Sequence, residues 1–291
     1  MPVPEVLRGV APAKVNLVLE VLGKRGDGYH EIDTILQTLA LADEVSITFG
    51  TDEGVEVTGP FAAGTPADET NLAWRAARML ADRLGRRERF RISLDKRIPA
   101  AGGLGGGASN AATVLRLLQR RWPDASEELL FELAAAVGSD EAFFLHGGTV
   151  RARGRGEVVE RLMPLARHGV VLFVPFETIE LKTARMFAAL SEQPFDDGEV
   201  AAAFVRKAPA AFAAEDVYNA FERVAFDVFP GLANLSEDLE QRTGRPVRLA
   251  GAGPTLYWIG AMTDARAVAA MAVGAACTII PTETVDSVWQ R

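Results

Sequence analysis

A glycine-rich stretch in the first half of the chain limits what this sequence can fold into. Residues 99–112 read P-A-A-G-G-L-G-G-G-A-S-N-A-A, with five glycines within six residues. Each glycine inside a helix or strand costs roughly 0.5–1 kcal/mol relative to alanine, so these glycines indicate a backbone that turns sharply or approaches a ligand. The apolar spacing that follows predicts an amphipathic helix over 109–121. Because a glycine loop at a helix N-terminus presents free N–H groups and the positive end of the helix dipole, the stretch predicts a phosphate-binding loop.

Two standard phosphate loops fit this stretch poorly. A Walker-type loop needs a lysine at the position of Ala108. A dinucleotide fingerprint is formally matched, but it should directly follow a buried parallel strand. The preceding segment, 89–95, alternates apolar and polar residues in the way that a half-exposed antiparallel strand does. The spacing alone therefore leaves three interpretations open: a phosphate loop of another type, a dinucleotide loop, and a turn without a ligand.

The composition argues against several functional classes. The chain has 291 residues, 48% of them hydrophobic and 24% charged, with a formal net charge of −8. This acidic balance disfavours nucleic-acid binding, which normally needs a basic face. Cys277 is the single cysteine, so no intrachain disulfide can form and we expect a cytoplasmic protein without a His/Cys metal cluster. The sequence starts without an export signal, and its longest uncharged apolar run, 267–280, is shorter than the ~20 residues of a membrane helix.

The glycine stretch resembles the second motif of the GHMP kinases, a family of small-molecule kinases. Its doubled G-L-G-G-G form is most similar to the subfamily that phosphorylates 4-diphosphocytidyl-2-C-methyl-D-erythritol in non-mevalonate isoprenoid biosynthesis. The resemblance implies that the chain uses ATP and Mg²⁺. The residues that it assigns to ATP in this stretch are Pro99, Gly102, Gly103, Leu104, Gly105, Gly106, Gly107 and Ser109.

Two further motifs lie in the first 30 residues. A predicted strand over 10–22 has a period of two, which places Lys14 and Asn16 on the same face. The segment A-P-A-K-V-N-L resembles the first GHMP motif, whose lysine lies in the active site. The turn-rich segment G-K-R-G-D-G-Y-H ends in Tyr29 and His30. From the residues alone, ordinary packing explains both rings, whereas the resemblance implies that Tyr29 stacks on a cytosine and His30 hydrogen-bonds to it.

Two residues in the middle of the N-terminal half are assigned to the adenine by the resemblance. A predicted helix over 68–84 has Thr70 as its expected N-cap. The next residue, Asn71, and Lys96 after the following strand match family positions that border the adenine.

The segment G-S-D-E-A-F-F carries the candidate catalytic carboxylate. From spacing alone Asp140, or Ser139 before it, is explained as a helix N-cap. The segment resembles the family stretch G-A-D-V-P-F, and its catalytic aspartate corresponds to Asp140. Glu141 and Ala142 replace the family's Val-Pro after this aspartate.

A buried-type strand over 170–175 begins the second half of the chain, and we place a domain boundary near Leu165. The predicted domains are residues 1–165 and 166–291. In the second, L-K-T-A-R-M-F resembles a substrate-binding segment whose threonine and aromatic are Thr183 and Phe187, with Phe187 opposite Tyr29 across the cytosine. The segment L-A-G-A-G-P-T-L-Y resembles the third GHMP motif, with Ala252 where relatives usually have Ser or Thr.

The resemblance implies an α+β kinase of two domains, the first like ribosomal protein S5 domain 2 and the second ferredoxin-like. In the cleft between them, the γ-phosphoryl group of ATP would pass to the 2-hydroxyl of the cytidylated substrate. Lys14 would lie beside the transferred group and Asp140 would take or orient the hydroxyl proton. Two alternatives stay open: a mevalonate- or homoserine-type kinase of the same family, which has no use for a cytosine pocket, and a non-catalytic nucleotide sensor, which would lose Lys14 or Asp140.

Overall fold

The computed structural model of the chain describes residues 5–177, 179–207 and 211–286. The strands of this part are β1 (Val6–Lys24), β2 (His30–Phe49), β3 (Gly54–Thr58), β4 (Phe90–Asp95), β5 (Thr149–Gly154), β6 (Val158–Arg161), β7 (Gly169–Pro175), β8 (Tyr218–Asn219), β9 (Arg248–Leu249), β10 (Leu256–Gly260) and β11 (Cys277–Glu283). Its α-helices are α1 (Leu72–Arg83), α2 (Gly106–Arg121), α3 (Glu127–Val137), α4 (Glu141–His146), α5 (Lys182–Leu190), α6 (Glu199–Arg206), α7 (Glu222–Val228), α8 (Leu232–Thr243) and α9 (Ala265–Met271). In these ranges, the structure has no helix with the length and apolar character needed to cross a membrane.

Strands from both halves of the chain build the first sheet, whose main order is β3-β4-β2-β1-β8, with β5 paired to β2 and β6 to β5. The long strands β1 and β2 are antiparallel. Inward-facing residues of β4, Phe90, Ile92 and Leu94, alternate with more exposed ones, as predicted from the sequence. They pack with helices α1 to α4 into one hydrophobic cluster. This layer of helices on a sheet presents the N-terminus of α2 at the edge of the cleft described below.

The second sheet has the order β11-β7-β10-β9, with antiparallel neighbours throughout. The apolar run of β7 is buried as predicted, since both β10 and β11 flank it. Residues of α5, α7, α8 and α9 cover this sheet in a second cluster. The predicted α+β class is thus confirmed, with helices packed on a mixed first sheet and on an antiparallel second sheet.

The two sheets share a core along β1. A third hydrophobic cluster joins Val15 and Leu17 of β1 to Leu172 of β7 and Tyr257 of β10. The short strand β8, from the second half, runs parallel to β1 beside Val18 and Leu19. We keep the boundary between residues 165 and 166 as a proposal: it lies just before the first strand of the second sheet.

Two predicted helix starts differ from the structure. Thr70 is not the N-cap of α1, because its hydroxyl donates to Asp68 at 2.6 Å. The cap is Asn71, whose side-chain oxygen accepts the Ala73 N–H at 2.9 Å. Helix α2 begins at Gly106, three residues earlier than expected, since Gly105 at φ 74° turns the chain directly into the helix.

Candidate active site

The glycine loop before α2 has a backbone shaped for close approach. Gly103 and Gly105 adopt φ values of 84° and 74°, which favour glycine. Gly105 occupies the N-cap position and brings no side-chain cap to the first N–H groups of α2. The loop is tied to β1 by the Lys14 N–H, which donates to the Leu104 carbonyl at 3.0 Å. Such a helix start, with uncapped N–H groups, fits an anionic ligand.

A second glycine loop, 250–255, packs against the first. It joins β9 to β10, and Gly251 and Gly253 have φ values of 54° and 66°. A Cβ atom on Gly103 would collide with the carbonyl oxygen of Ala250, so the two loops touch backbone to backbone. Asn219 of β8 fixes the second loop by donating to the Leu249 and Gly251 carbonyls at 2.9 and 2.8 Å. The predicted second and third motifs therefore form one continuous wall.

Lys14 lies beneath this wall with its ammonium held in place. The residue is only 4% exposed, and its Nζ donates to Asn16 Oδ1 at 2.8 Å. The Asn16 amide in turn donates to Thr34 Oγ1 at 2.8 Å, and that hydroxyl donates to the Val18 carbonyl at 2.6 Å. A Cβ atom on Gly251 would lie 3.2 Å from the Lys14 ammonium. Lys14 is thus fixed where the two glycine loops meet.

Asp140 faces Lys14 across the cleft. Its Oδ2 lies 3.4 Å from Lys14 Nζ, and 37% of its side chain remains exposed. Asp140 occupies the N-cap position of α4, yet its side chain makes no capping hydrogen bond. The geometry is therefore that of a carboxylate oriented toward a lysine and the cleft, which favours the catalytic interpretation over the cap.

The cleft between the two halves of the chain has a volume of about 610 Å³. Side chains of both halves line it, together with the backbone of both glycine loops. The residues predicted from sequence that line it are Lys14, Asn16, Asn71, Lys96, Pro99, Gly102, Gly103, Leu104, Gly105, Gly106, Gly107, Asp140, Thr183 and Phe187.

Lys96 and Asn71 line the cleft, but other protein groups engage their polar atoms. The Lys96 ammonium forms an ion pair with Asp43 and donates to Asn110 Oδ1 at 2.8 Å. Asn71 caps α1 and donates to the Pro66 carbonyl at 2.7 Å. Both side chains hold segments that border the cleft, and their contact with the nucleotide stays a prediction.

The predicted base pocket is arranged differently from the expected cytosine sandwich. His30 stacks on Phe187 with ring centroids 4.5 Å apart and planes inclined by 16°. Its Nε2 lies 2.8 Å from Ser191 Oγ. Burial, with a smaller effect of Lys24, lowers the pKa of His30. Tyr29 is 50% exposed and lies under the Arg155 guanidinium at 5.0 Å, so the structure brings His30 to Phe187 and leaves Tyr29 apart.

Two cleft residues were missed from the sequence. Lys182 Nζ donates to the Gly253 carbonyl at 2.6 Å, and burial together with the nearby Lys14 lowers its pKa to about 8. Glu141 is 2% exposed, and its Oε2 has no hydrogen-bond partner. Burial and the adjacent Asp140 raise the pKa of Glu141 to about 7. The sequence signals were the lysine beside Thr183 in L-K-T and the replacement of Val-Pro after Asp140.

Two hydroxyl groups near the loops have no hydrogen-bond partner in the structure. Ser109, in the first turn of α2, and Thr255, in the second loop, are both 0% exposed, and their hydroxyl oxygens are unpaired. A Cβ atom on Gly102 would lie 2.7 Å from Thr255 Oγ1, so this hydroxyl lies directly against the first loop.

The sequence matches the family described as GHMP kinases N terminal domain over residues 71–148. The 4-diphosphocytidyl-2-C-methyl-D-erythritol kinase of Pelotomaculum thermopropionicum is 37% identical over 268 residues, which are 91% of this chain and 93% of the relative.

Solved structures show the same relationship. A crystal structure of 4-(cytidine 5'-diphospho)-2C-methyl-D-erythritol kinase has a TM-score of 0.76 and 32% identity, over 97% of this chain and 100% of that one. The homoserine kinase of Cytophaga hutchinsonii has a TM-score of 0.70 over 99% of this chain and 97% of that one. Since its identity is 16%, this second likeness concerns the fold alone.

Proposed function

The chain belongs to the 4-diphosphocytidyl-2-C-methyl-D-erythritol kinases, a family of GHMP kinases with a two-domain α+β fold, and on this premise we propose its reaction in detail. The γ-phosphoryl group of ATP passes to the 2-hydroxyl of 4-diphosphocytidyl-2-C-methyl-D-erythritol. A bond forms between the hydroxyl oxygen and the phosphorus, the bond to the β-phosphate oxygen breaks, and ADP leaves. The partners of the chain are these small molecules, and the single cysteine favours the cytoplasm as its location.

The two glycine loops suit the triphosphate. The backbone N–H groups at the start of α2 are free to donate to a phosphate, because Gly105 at the N-cap position has no side chain that could accept from them. The unpaired hydroxyls of Ser109 and Thr255 lie at the same loops but are fully buried, so we assign the phosphate contacts to the backbone N–H groups and leave the predicted contact of Ser109 as a proposal. ATP use follows from membership of the kinase family, and these loops are the site that we assign to its phosphates.

Mg²⁺ fits the same place with few protein ligands. In the described ranges the structure has no group of three or more His, Cys, Asp or Glu side chains that could hold a metal alone. Mg²⁺ in kinases is usually bound by one or two carboxylates plus substrate phosphates, and the partly exposed carboxylate of Asp140 would hold it together with the phosphates of ATP. When bound, the ion neutralises charge on the phosphate oxygens.

In this proposal Lys14 acts as a cation and Asp140 as a base. Phosphoryl transfer depends mainly on positioning and on neutralising charge. The Lys14 ammonium, fixed by Asn16, stabilises negative charge on the transferred group. Asp140 orients the 2-hydroxyl and accepts its proton as the new bond forms. The observation that carries this proposal is the 3.4 Å approach of these two side chains at the junction of both glycine loops.

The substrate assignment is tested by ADP release with three acceptors. We expect turnover with 4-diphosphocytidyl-2-C-methyl-D-erythritol and little or none with mevalonate or homoserine. Faster turnover with mevalonate or homoserine would assign the chain to another GHMP activity. Binding of ATP and the cytidylated substrate without any ADP release would instead support the sensor.

A further inference from the structure

Lys182 is a cleft cation without an anionic partner. Its Nζ donates to the Gly253 carbonyl at 2.6 Å, and no carboxylate of the described residues lies within ion-pair distance of it. The other two lysines that line the cleft are paired, Lys14 with Asp140 and Lys96 with Asp43. Because a charge removed from water is costly unless it is paired, the site of Lys182 suits an anion that arrives with a ligand.

The position of Lys182 in its helix does not favour stability. It is the first residue of α5, where the helix dipole disfavours a cation. Leu181 before it makes no side-chain capping bond. In the second glycine loop opposite, residues 250–254 have no side chain that can donate a hydrogen bond, and the hydroxyl of Thr255 is fully buried. Lys182 therefore brings positive charge to the Gly253 side of this loop, as Lys14 does beside Gly251, and Lys182 has no carboxylate partner there among the described residues.

Lys182 also lies between the reacting groups and the predicted base pocket. Its charge interacts with Lys14 and Asp140 on one side. On the other side, the same helix continues into Thr183 and Phe187, both of which line the cleft. In the cytidylated substrate the diphosphate joins the base to the polyol, so it must cross the space between these two groups of residues.

We propose that Lys182 binds the diphosphate of the cytidylated substrate and so positions the substrate between the base pocket and Asp140. This inference rests on the proposed function. The ammonium keeps two N–H groups beyond its bond to the Gly253 carbonyl, and a phosphate oxygen accepts from them. ATP also carries phosphate, and the experiment below separates the two sources.

The test compares calorimetric affinities for cytidine, CDP and ADP. We expect Lys182→Met to weaken CDP by about 10- to 100-fold, the range for a hydrogen bond to a charged group. Cytidine, which has no phosphate, and ADP should bind as they do to the wild type. Lys182→Arg should recover most of the CDP affinity. Arg185→Met, which removes an exposed cation from the same helix, is the matched control and should change none of the three affinities.

Two further measurements exclude a merely structural effect. The melting temperature of Lys182→Met should equal or exceed that of the wild type, because an unfavourable charge leaves the start of α5. CDP affinity of the wild type should fall as the pH rises above about 8, where Lys182 loses its proton beside Lys14 and Asp140, and that of Lys182→Met should stay flat there.

The outcomes separate this inference from the proposed function. If the wild type turns over the cytidylated substrate while Lys182→Met binds CDP as tightly as the wild type, the inference is wrong and the function stands. If Lys182→Met weakens ADP and spares CDP, the lysine serves ATP and the inference is also wrong. A wild type that neither binds CDP nor phosphorylates the cytidylated substrate contradicts the proposed function itself.

Discussion

Asp140 occupies the N-cap position of α4 without capping it, so replacing it tests chemistry more than stability. We expect Asp140→Asn to bind ATP and the cytidylated substrate and to lose roughly 10²–10⁴-fold in kcat, because asparagine keeps the shape but accepts no proton. Its melting temperature should stay close to that of the wild type. Steady-state ADP release and thermal unfolding measure both effects.

Asp264 provides the control for this substitution. It too is an aspartate at a helix N-cap position without a capping bond, at the start of α9. Asp264→Asn should leave kcat unchanged within about twofold, as expected for a surface change away from the site. If Asp140→Asn turned over at nearly the wild-type rate, the proposed catalytic role of Asp140 would be wrong and its role would be structural.

Glu141 should make stability depend on pH. Burial and the neighbouring Asp140 raise its pKa from 4.5 to about 7, so the folded protein holds a proton that the unfolded chain has released between these pH values. This contribution is fully present below pH 4.5 and is lost as the pH rises through 7, which lowers the free energy of unfolding by up to about 3 kcal/mol. Glu141→Gln cannot ionise. Its free energy of unfolding should therefore rise relative to that of the wild type between pH 5 and 7, and the difference should persist above pH 7.

Urea unfolding of both proteins at several pH values from 5 to 8 measures this difference. A stability difference between Glu141→Gln and the wild type that does not change over this range would mean that Glu141 does not titrate there. Asp140→Asn with Glu141 retained should shift the change to lower pH, since one cause of the raised pKa of Glu141 is removed.

At the scale of elements, the contact between the two glycine loops should be indispensable. A Cβ on Gly103 would strike the Ala250 carbonyl, and its φ of 84° disfavours any side chain. We expect Gly103→Ala to push the loops apart and to lower kcat/KM for ATP by roughly 10²-fold, the cost of misplacing reacting groups by about 1 Å.

Gly85 serves as the comparison for Gly103. It also has a positive φ, 65°, but a Cβ there would meet no atom within 4 Å. Gly85→Ala should therefore cost about 1 kcal/mol of stability from backbone strain alone and leave kcat/KM for ATP intact. Equal kinetic losses in both variants would show that strain, and not the loop contact, causes the effect.

The sequence predicted elements whose signals are local. Period-two and helical patterns located the core of β1, the alternation of β4, most of helix α2 and the buried strand β7. The prediction of Thr70 as the N-cap was wrong because its hydroxyl donates to Asp68, two residues earlier. Residue type alone does not decide whether the hydroxyl bonds to this carboxylate or to the start of the helix.

Site residues that belong to a sequence motif could be predicted, whereas contacts between segments far apart in the sequence could not. Lys14, Asp140 and the glycine loops came from motifs, and the structure places them together. Lys182 could not be predicted as a cleft residue, because its hydrogen-bond acceptor, the carbonyl of Gly253, lies 71 positions away in the sequence. The stacking of His30 on Phe187 likewise joins segments that no local pattern relates.

At the scale of the whole molecule, the shared core predicts one cooperative unfolding unit. Val15 and Leu17 pack with Leu172 and Tyr257 in a single cluster, so unfolding of either sheet also exposes the core that it shares with the other. In native-state hydrogen exchange, we expect the most protected amides of β4 and β10 to give the same free energy of opening. Two distinct values would mean that the proposed domains, 1–165 and 166–291, unfold independently.

Strand β1 contributes both to the site and to the core, and this restricts which substitutions the enzyme can accept during evolution. The strand supplies Lys14, and its neighbouring residues pack into the cores of both sheets. A substitution in β1 that shifts the strand would also shift the Lys14 ammonium, to which we assign a catalytic role, so we expect heat tolerance and turnover to be coupled there. We expect new acceptor preferences to arise more readily through α5, where Thr183 is exposed and its replacement would not require repacking a core. Directed evolution should accordingly find its adaptive changes in α5 and leave β1 nearly invariant.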